Sequence, residues 1–194
     1  MATRNQLNPP PLRKITDFKS KLTGGGARSN LFEVELAFPS AVSVDGLNDI
    51  LNKARFLVKA ANLPASNVAP IEVPFRGRVL KVAGDRTFDV WTVTIINDTD
   101  FAIRNSMERW MNGLNSHSLN VRNPAALAPL GYSVDAKVTQ FGKTGDELKK
   151  YKFIGMYPYD LSPIDVDWGA NDQIEEFTVT LAYQWWEAEE AGVV

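Results

Sequence analysis

The sequence of 194 residues has no cysteine and a single histidine, His117. Without cysteine there is no disulfide and no thiolate metal site, so we expect the chain to fold in a reducing cytoplasm. His117 follows several Asn and Ser residues in a polar stretch, and no serine has the surroundings of a nucleophile elbow. A Ser–His–Asp triad therefore has little support from the sequence.

Long apolar runs are also missing from the sequence. Every apolar stretch is interrupted well before the roughly 20 residues that a membrane-spanning helix needs. The basic residues near the N-terminus are not followed by the apolar run of roughly 7–15 residues that a secretory signal has. We therefore expect no stable membrane association, and the length and ordinary composition indicate one globular domain with a substantial core.

The formal net charge of −2 is unevenly distributed along the chain. Residues 1–30 contain six basic residues and one acidic residue, a charge of +5, which leaves −7 for the remainder. Pro9, Pro10 and Pro11 favour an extended backbone, so we predict an extended basic N-terminal arm at residues 1–30 and a single β domain at residues 31–194. Such an arm can contact nucleic acid or dock on another copy of the chain, and charge alone leaves both open.

Three apolar residues of this arm, Ile15, Phe18 and Leu22, have helical spacing. A short helical turn would place them on one face. The run of three glycines at residues 24–26 then provides a flexible joint before the body. Because an arm with apolar side chains has surface to bury, Ile15, Phe18 and Leu22 are predicted to contact another subunit.

Alternating apolar and polar residues predict a body that is mainly β, within the α+β class. The predicted strands are residues 31–38, 87–96, 132–141, 149–157 and 174–186. The last of these is longer than most strands, and long strands suit a sheet that continues beyond one subunit. Its apolar face is predicted to hold Phe177, Val179, Leu181, Tyr183 and Trp185.

Two further segments have helical periodicity. The longer helix is predicted to begin after an N-cap at Thr99 or Asp100 and to bury Trp110 against a sheet. Its apolar face holds Ile103, Met107, Trp110, Met111 and Leu114. The shorter helix has Leu47, Ile50, Leu51 and Ala54 on its apolar face, and it is predicted to cover an edge or an end of a sheet.

A proline-punctuated segment at residues 63–82 lies between the shorter helix and the second strand. Residues 75–82 at its end are predicted to form an extended hairpin that turns at residues 76–78. If copies of the chain assemble into stacked rings, we predict that this segment, like the arm, crosses between rings. The residues assigned to that contact are Phe75, Arg76 and Arg78.

The motifs that could support catalysis or metal binding are incomplete. Gly142-Lys143-Thr144 resembles the end of a phosphate-binding loop but lacks the upstream glycine, so a hairpin turn is predicted there. Asp165, Asp167 and Glu176 have the spacing of calcium ligands, yet the glycine of a calcium loop is replaced by alanine. Adjacent carboxylates at residues 175 and 176 point to opposite faces of a strand and cannot share a proton. We therefore predict no enzyme activity, no cofactor and no metal.

Two stretches carry a family resemblance, AGDRTFDVWTVTIIND at residues 83–98 and VDWGANDQIEEFTVTLAYQWWE at residues 166–187. Together with NLFEVEL at residues 30–36 and Leu-Pro-Ala at residues 63–65, they resemble the tail tube proteins of contractile-tailed bacteriophages. The resemblance spans most of the body. The long arm and an insertion at residues 40–54 are departures from the family pattern, so detailed contacts between rings cannot be transferred.

The resemblance implies a β-sandwich or half-open barrel with a flanking α-helix, whose sheets join across subunits into a hexameric ring. Rings would stack into the inner tail tube of a virion, a channel for DNA ejection into the host cell without sequence-specific binding. The implied partners are the tail sheath, the baseplate and the tape-measure protein. Alternatives are a tube initiator or terminator, the inner tube of a bacteriocin or type VI secretion-like system, and a small hydrolase.

Polar faces of two predicted strands suggest which residues line such a channel. The opposite, apolar faces must meet the helix and the second sheet, because exposing them to water would forgo about 25 cal/mol per Å². Short uncharged hydroxyls offer no cation for phosphate to bind. The residues predicted to face the lumen are Thr92, Thr94, Thr178, Thr180 and Gln184.

Overall fold

The computed structural model describes residues 14–39, 47–124 and 127–190. Pro9, Pro10 and Pro11 of the predicted arm and residues 40–46 of the predicted insertion lie outside them. The helices are α1 (Ile15–Lys21), α2 (Leu47–Leu57), α3 (Ala102–Leu114) and the short α4 (Pro129–Tyr132), with a 3-10 turn at Thr23–Gly25. The strands are β1 (Phe32–Glu35), β2 (Val58–Ala61), β3 (Asn67–Phe75), β4 (Arg78–Thr87), β5 (Trp91–Ile96), β6 (Val134–Phe141), β7 (Glu147–Leu161), β8 (Glu176–Ala182) and β9 (Trp185–Glu190).

The chain is mainly β with a few helices, as predicted from the sequence. An antiparallel sheet has the strand order β1-β6-β7-β8-β5-β2, with β9 paired to β7, and β3 and β4 form a separate hairpin. Strand β7 links two halves of the sheet: its beginning pairs with β6 and β9, and its end pairs with β8. Strand β7 is longer than the predicted strand at residues 149–157 because it forms backbone pairs in both halves of the sheet.

A glycine marks the change of partner along β7. Gly155 has a φ of +64°, a conformation that side chains with a Cβ rarely adopt, and a Cβ there would lie 2.9 Å from Cγ of Gln184. The Gly155 N–H donates a hydrogen bond of 3.1 Å to the carboxylate of Asp135, which also pairs with Lys152 at 2.9 Å. Partial burial raises the pKa of Asp135, but the bonds from Lys152 and Gly155 outweigh burial and hold the pKa below its usual value.

The prediction of one strand over residues 174–186 is wrong. The chain breaks at Tyr183 and Gln184, because β8 pairs with the end of β7 whereas β9 pairs with its beginning. The Gln184 N–H donates to the Ile154 carbonyl at 3.0 Å, which fixes the break. The alternation shifts there, so Trp186 packs against Tyr151 while Trp185 is 45% exposed.

The core lies between the sheet and helices α2 and α3. Trp91 stacks on Phe153 with their ring centroids 4.2 Å apart, and Trp110 of α3 meets Phe38 edge-on at 5.7 Å. The predicted burial of Trp110 is therefore confirmed, and Trp91 is buried as well. The other buried apolar side chains are Val34, Leu36, Ile50, Ala54, Val58, Val93, Ile95, Ile103, Met107, Ala136, Val138, Met156, Phe177, Val179 and Leu181.

Both predicted helices are present, but the N-cap of α3 differs from the prediction. The N-cap residue is Phe101, with a φ of 53°, rather than Thr99 or Asp100. The side chain of Asp100 is instead bound to Lys53 of α2 at 2.6 Å, so a tertiary ion pair replaces the local cap.

Candidate subunit interface

The β3–β4 hairpin is the largest unpartnered element of the described structure. It forms its own two-stranded sheet, and its residues are exposed except for Gly84, which is partly buried. Pro70 and Pro74 lie on β3, where an edge strand tolerates a missing N–H. The exposed apolar side chains of the hairpin are Val68, Ile71, Val73, Phe75, Val79, Leu80 and Val82. Because an isolated two-stranded hairpin is marginally stable in water, this element needs a partner surface.

The hairpin is longer than predicted, but its turn lies within the predicted residues. Arg76 and Gly77 form the two-residue turn with φ values of 46° and 82°, and Phe75 pairs with Arg78 across it. Both central residues of such a turn need positive φ. The guanidinium of Arg76 lies 5.4 Å from the ring of Phe75, so the structure brings Phe75, Arg76 and Arg78 together at one tip.

Helix α1 exposes its apolar side chains. Ile15, Phe18 and Leu22 are exposed, and no residue of the helix is buried. A helix of seven residues is too short to be stable alone in water. The described arm is therefore a second surface that a partner would stabilise.

Four threonines form a polar patch on the sheet. Thr92 lies opposite Thr180, and Thr94 lies opposite Thr178, on adjacent antiparallel strands. They are half-buried, whereas the residues between them on each strand are buried in the core. The fifth predicted lumen residue, Gln184, follows the break after β8 and is not on this patch.

The half of the sheet that carries this patch has open edges. Within the described residues, β2 pairs with β5 alone, and residues 157–161 of β7 pair with β8 alone. An edge strand with unpaired N–H and C=O groups is a template for another chain. Each subunit therefore offers one free edge on either side of the threonine patch.

The loop between β7 and β8, residues 162–175, lies at the end of the sheet where β5 finishes. We call it the acidic loop, because residues 162–175 contain four carboxylates and no Lys or Arg. Neighbouring carboxylates are paired: Lys53 binds Asp98 and Asp100, and Lys59 binds Glu176 at 2.5 Å. The hydrogen bonds that Lys53 donates to Asp100 and Asp98 raise its pKa above the usual value.

Trp168 of the acidic loop was not singled out by the sequence analysis, yet it is fully exposed. The loop has no regular alternation that could assign a face to its side chains. The only usable signal was composition, since an indole among carboxylates in a loop is unusual for a residue type that is mostly buried.

The motifs tested for chemistry are found at the surface. His117 is exposed, and residues 142–145 form the turn between β6 and β7, as predicted. Among residues 14–39, 47–124 and 127–190, no group of three His, Cys, Asp or Glu side chains could hold a metal ion. No helix in this described part is long and apolar enough to cross a membrane.

Comparison with known sequences gives one consistent family. A family model described as phage tail tube protein matches residues 27–189. The chain is 32% identical over 166 residues to the tail tube protein of Enterobacteria phage T4, covering 85% of this chain and 93% of that protein. It is 29% identical over 172 residues to the tail tube protein of Serratia phage KSP90, covering 87% and 93% of the two chains.

Solved structures share the fold at low sequence identity. A chain of the six-fold symmetrised anti-feeding prophage baseplate aligns with a TM-score of 0.62 at 12% identity, covering 86% of this chain and 97% of that one. A chain of the sheath-tube complex of an extracellular contractile injection system aligns with a TM-score of 0.55 at 14% identity, covering 89% and 97%. These likenesses concern the fold alone.

Proposed function

We propose that this chain, which belongs to the phage tail tube protein family, builds the inner wall of a contractile tail as stacked hexameric rings. The family resemblance of residues 83–98 and 166–187 is confirmed, and the protein is a structural component of the phage tail. Its relatives are structural tail tube proteins, and we infer that it has no enzymatic role.

The main observation in favour of stacked rings is the exposed β3–β4 hairpin. It presents apolar side chains on a sheet that the rest of the described subunit does not cover. Exposed apolar surface of this extent is typical of an interaction site. A hairpin with strands of nine and ten residues is about 30 Å long, enough to reach past its own subunit into the next ring.

Ring closure is supported by the two free sheet edges. If β2 of one subunit pairs with residues 157–161 of β7 in its neighbour, the sheets of the subunits join into one barrel without an exposed edge. A head-to-tail contact of this kind closes into a ring when the rotation between neighbouring subunits is an integral fraction of a full turn. The body from residue 31 forms the wall, and the arm before it contacts a neighbouring subunit.

The threonine patch is proposed to face the lumen. The barrel has an inner and an outer face, and the patch lies on the face opposite the apolar core and the helices. Short hydroxyls without cations would let DNA pass without binding it. The tape-measure protein before ejection and the surrounding sheath and baseplate are the further proposed partners.

Assembly of the purified full chain tests this function. We expect negative-stain images of hollow tubes of variable length and uniform width, and sedimentation of most of the protein at high concentration. A chain that stays monomeric at high concentration in every salt condition would contradict the proposal. Stacks that stop at one or two rings would instead assign the chain to an initiator or terminator.

Removal of residues 1–26 is expected to weaken tubes without unfolding the body, because α1 contributes no buried residue. The truncated chain should keep the circular dichroism and melting temperature of the full chain. Its tubes should be shorter and should dissociate at lower salt, since the arm's positive charge is lost.

Two full-length variants separate the contributions of the arm. Replacement of Ile15, Phe18 and Leu22 by Ser removes its apolar face, while replacement of Lys19 and Lys21 by Gln removes charge alone. We expect the first variant to weaken tubes at all salt concentrations and the second to do so mainly at low salt. Tubes of unchanged length and salt resistance from the truncated chain would exclude an assembly role for the arm.

Lysines at the threonine patch should retain DNA in the tube. The double variant Thr92→Lys and Thr180→Lys is expected to form tubes of normal width, because these side chains lie outside the core. DNA binding to the tubes should rise and should weaken with added salt, as phosphate contacts do. Asn105→Lys on the exposed face of α3 is the control for added charge, and it should bind no DNA inside the tube. Loss of ring assembly in the double variant would refute the lumen assignment.

A further inference from the structure

The acidic loop presents an apolar surface that no described part of the subunit covers. Val166, Trp168 and Ile174 are 81%, 103% and 72% exposed, and they line a cavity of about 430 Å³ together with acidic side chains. Large exposed aromatic side chains are the residues most often found as energetic centres of protein interfaces. The composition of this surface therefore indicates a protein partner.

The loop is held in place before any partner binds. Arg104 of α3 donates to the Ser162 carbonyl at 3.0 Å, and Asn97 donates to the carboxylate of Glu175 at 2.8 Å. Between these anchors, the Gly169 N–H donates to the side chain of Asp167 and closes a tight turn beside Trp168. A partner thus meets a surface that is already formed, which reduces the ordering entropy lost on binding.

The negative charge of the acidic loop indicates which chemical groups its partner must have. Asp165, Asp167, Glu175 and Glu176 line the same cavity as the exposed apolar residues of the loop. A partner must bring positive charge and an apolar group together. The hairpin tip, residues 75–80, carries Arg76 and Arg78 without an acidic residue and exposes Phe75 and Leu80, while Lys81 just beyond it pairs with Glu72.

The topology places the base of the hairpin and the acidic loop at opposite ends of the same strand. The hairpin enters β5 at Trp91, which is paired with Leu181, whereas the acidic loop leads into β8 beside Ile96, which is paired with Glu176. Surfaces at opposite ends of a subunit meet when identical subunits stack head to tail. A hairpin that extends from its base along the tube axis would bring its tip to the acidic loop of a subunit in the next ring.

We infer that the acidic loop is the receptor for the hairpin tip of a subunit in the adjacent ring. The guanidinium groups of Arg76 and Arg78 would pair with the carboxylates of the loop and lie against the indole of Trp168, while Phe75 covers the apolar residues. Arg76 occupies a turn position at positive φ that Asn or Gly fills more easily, which favours a use for its side chain beyond the turn. This inference rests on the stacking of rings proposed above.

The absence of native cysteine allows a direct test by disulfide formation in the assembled tube. The full chain with Arg78→Cys and Asp167→Cys is assembled under reducing conditions, imaged and then oxidised. Each disulfide joins a subunit to a subunit of the next ring, so the links continue along the tube. The non-reducing gel should therefore show covalent species that contain more subunits than one ring. The matched control pairs Asp167→Cys with Leu119→Cys, another exposed apolar position, and should remain monomeric.

The outcomes separate this inference from the stacking of rings. Tubes that form and yield no cross-link, or cross-links that end at the size of one ring, would overturn the receptor assignment while leaving the tube intact. A further variant combines Asp167→Cys with Phe18→Cys. If this pair forms a cross-link and the pair with Arg78→Cys does not, the acidic loop binds helix α1, and the receptor assignment is overturned as well. If the wild-type chain itself forms no tubes, the proposed function fails first.

A charge exchange provides a second test in case the double-cysteine variant does not assemble into tubes. Arg78→Asp and Asp167→Arg are each expected to raise the protein concentration needed for tubes by about tenfold or more, because like charges then face each other. The double variant, in which the two charges are exchanged, should recover most of that loss. Additive defects in the double variant would contradict a direct contact. Asp49→Arg on α2 is the control for net charge and should have little effect.

Discussion

Replacement of residues 67–87 by a short Gly-Ser linker is expected to abolish tubes while the subunit remains folded. The side chains of this hairpin contribute nothing to the buried core, so their loss removes no core contact. The stacking proposed here depends on the same side chains. We expect a monomer or single rings by sedimentation and negative stain, with a melting temperature within a few degrees of the full chain.

A smaller change isolates the apolar part of that effect. Phe75→Ser with Leu80→Ser alters two exposed hairpin side chains, and Leu119→Ser with Val121→Ser alters two similarly exposed side chains elsewhere. The hairpin pair should prevent tubes, and the control pair should not. If both pairs assemble normally, the hairpin has no essential role in stacking and the central argument for stacking is lost.

Replacement of Trp110 by Ala is expected to destabilise the subunit by about 3–5 kcal/mol. The side chain is 1% exposed, packs edge-on against Phe38, and donates its indole N–H to the Tyr132 carbonyl at 2.8 Å. Truncation leaves a cavity and removes the bond that satisfies a partly buried carbonyl. Urea unfolding monitored by circular dichroism measures the loss of free energy.

Two controls show whether this loss comes from packing. Trp168→Ala removes an equally large but fully exposed side chain and should leave the unfolding free energy of the subunit unchanged. Trp110→Phe keeps part of the packing and should give an intermediate loss. A Trp110→Ala subunit that is soluble and as stable as the parent would mean that this residue is an exposed contact and that the assignment of the core is wrong.

The sequence predicted local elements well where burial alternates with a fixed period. The faces of β5, β8 and α3 follow from the spacing of their apolar residues, and the turns at residues 76–77 and 142–145 follow from local composition. The hairpin was predicted too short because Pro70 and Pro74 argue against a strand. They are tolerated since β3 pairs with β4 alone among the described strands.

Of the predicted contact and lumen residues, the structure brings together those that are adjacent in sequence or paired across strands. Phe75, Arg76 and Arg78 meet at one turn, and the threonines of β5 and β8 form one patch. Gln184 is separated from that patch because the change of partner at Gly155 ends β8 before it. That these residues contact other subunits or face a lumen stays a prediction.

The sequence by itself determined the family, the mainly β class, and which side of each short strand is apolar. Those properties depend on residue type and on spacing within a few positions, so they can be predicted from short segments of the sequence. Only the tertiary structure decided the change of partner along β7 at Gly155, the split between β8 and β9, and the placement of the hairpin base and the acidic loop at opposite ends of β5. Strand partners are chosen by contacts between residues far apart in the chain, so alternation along one strand carries no information about them.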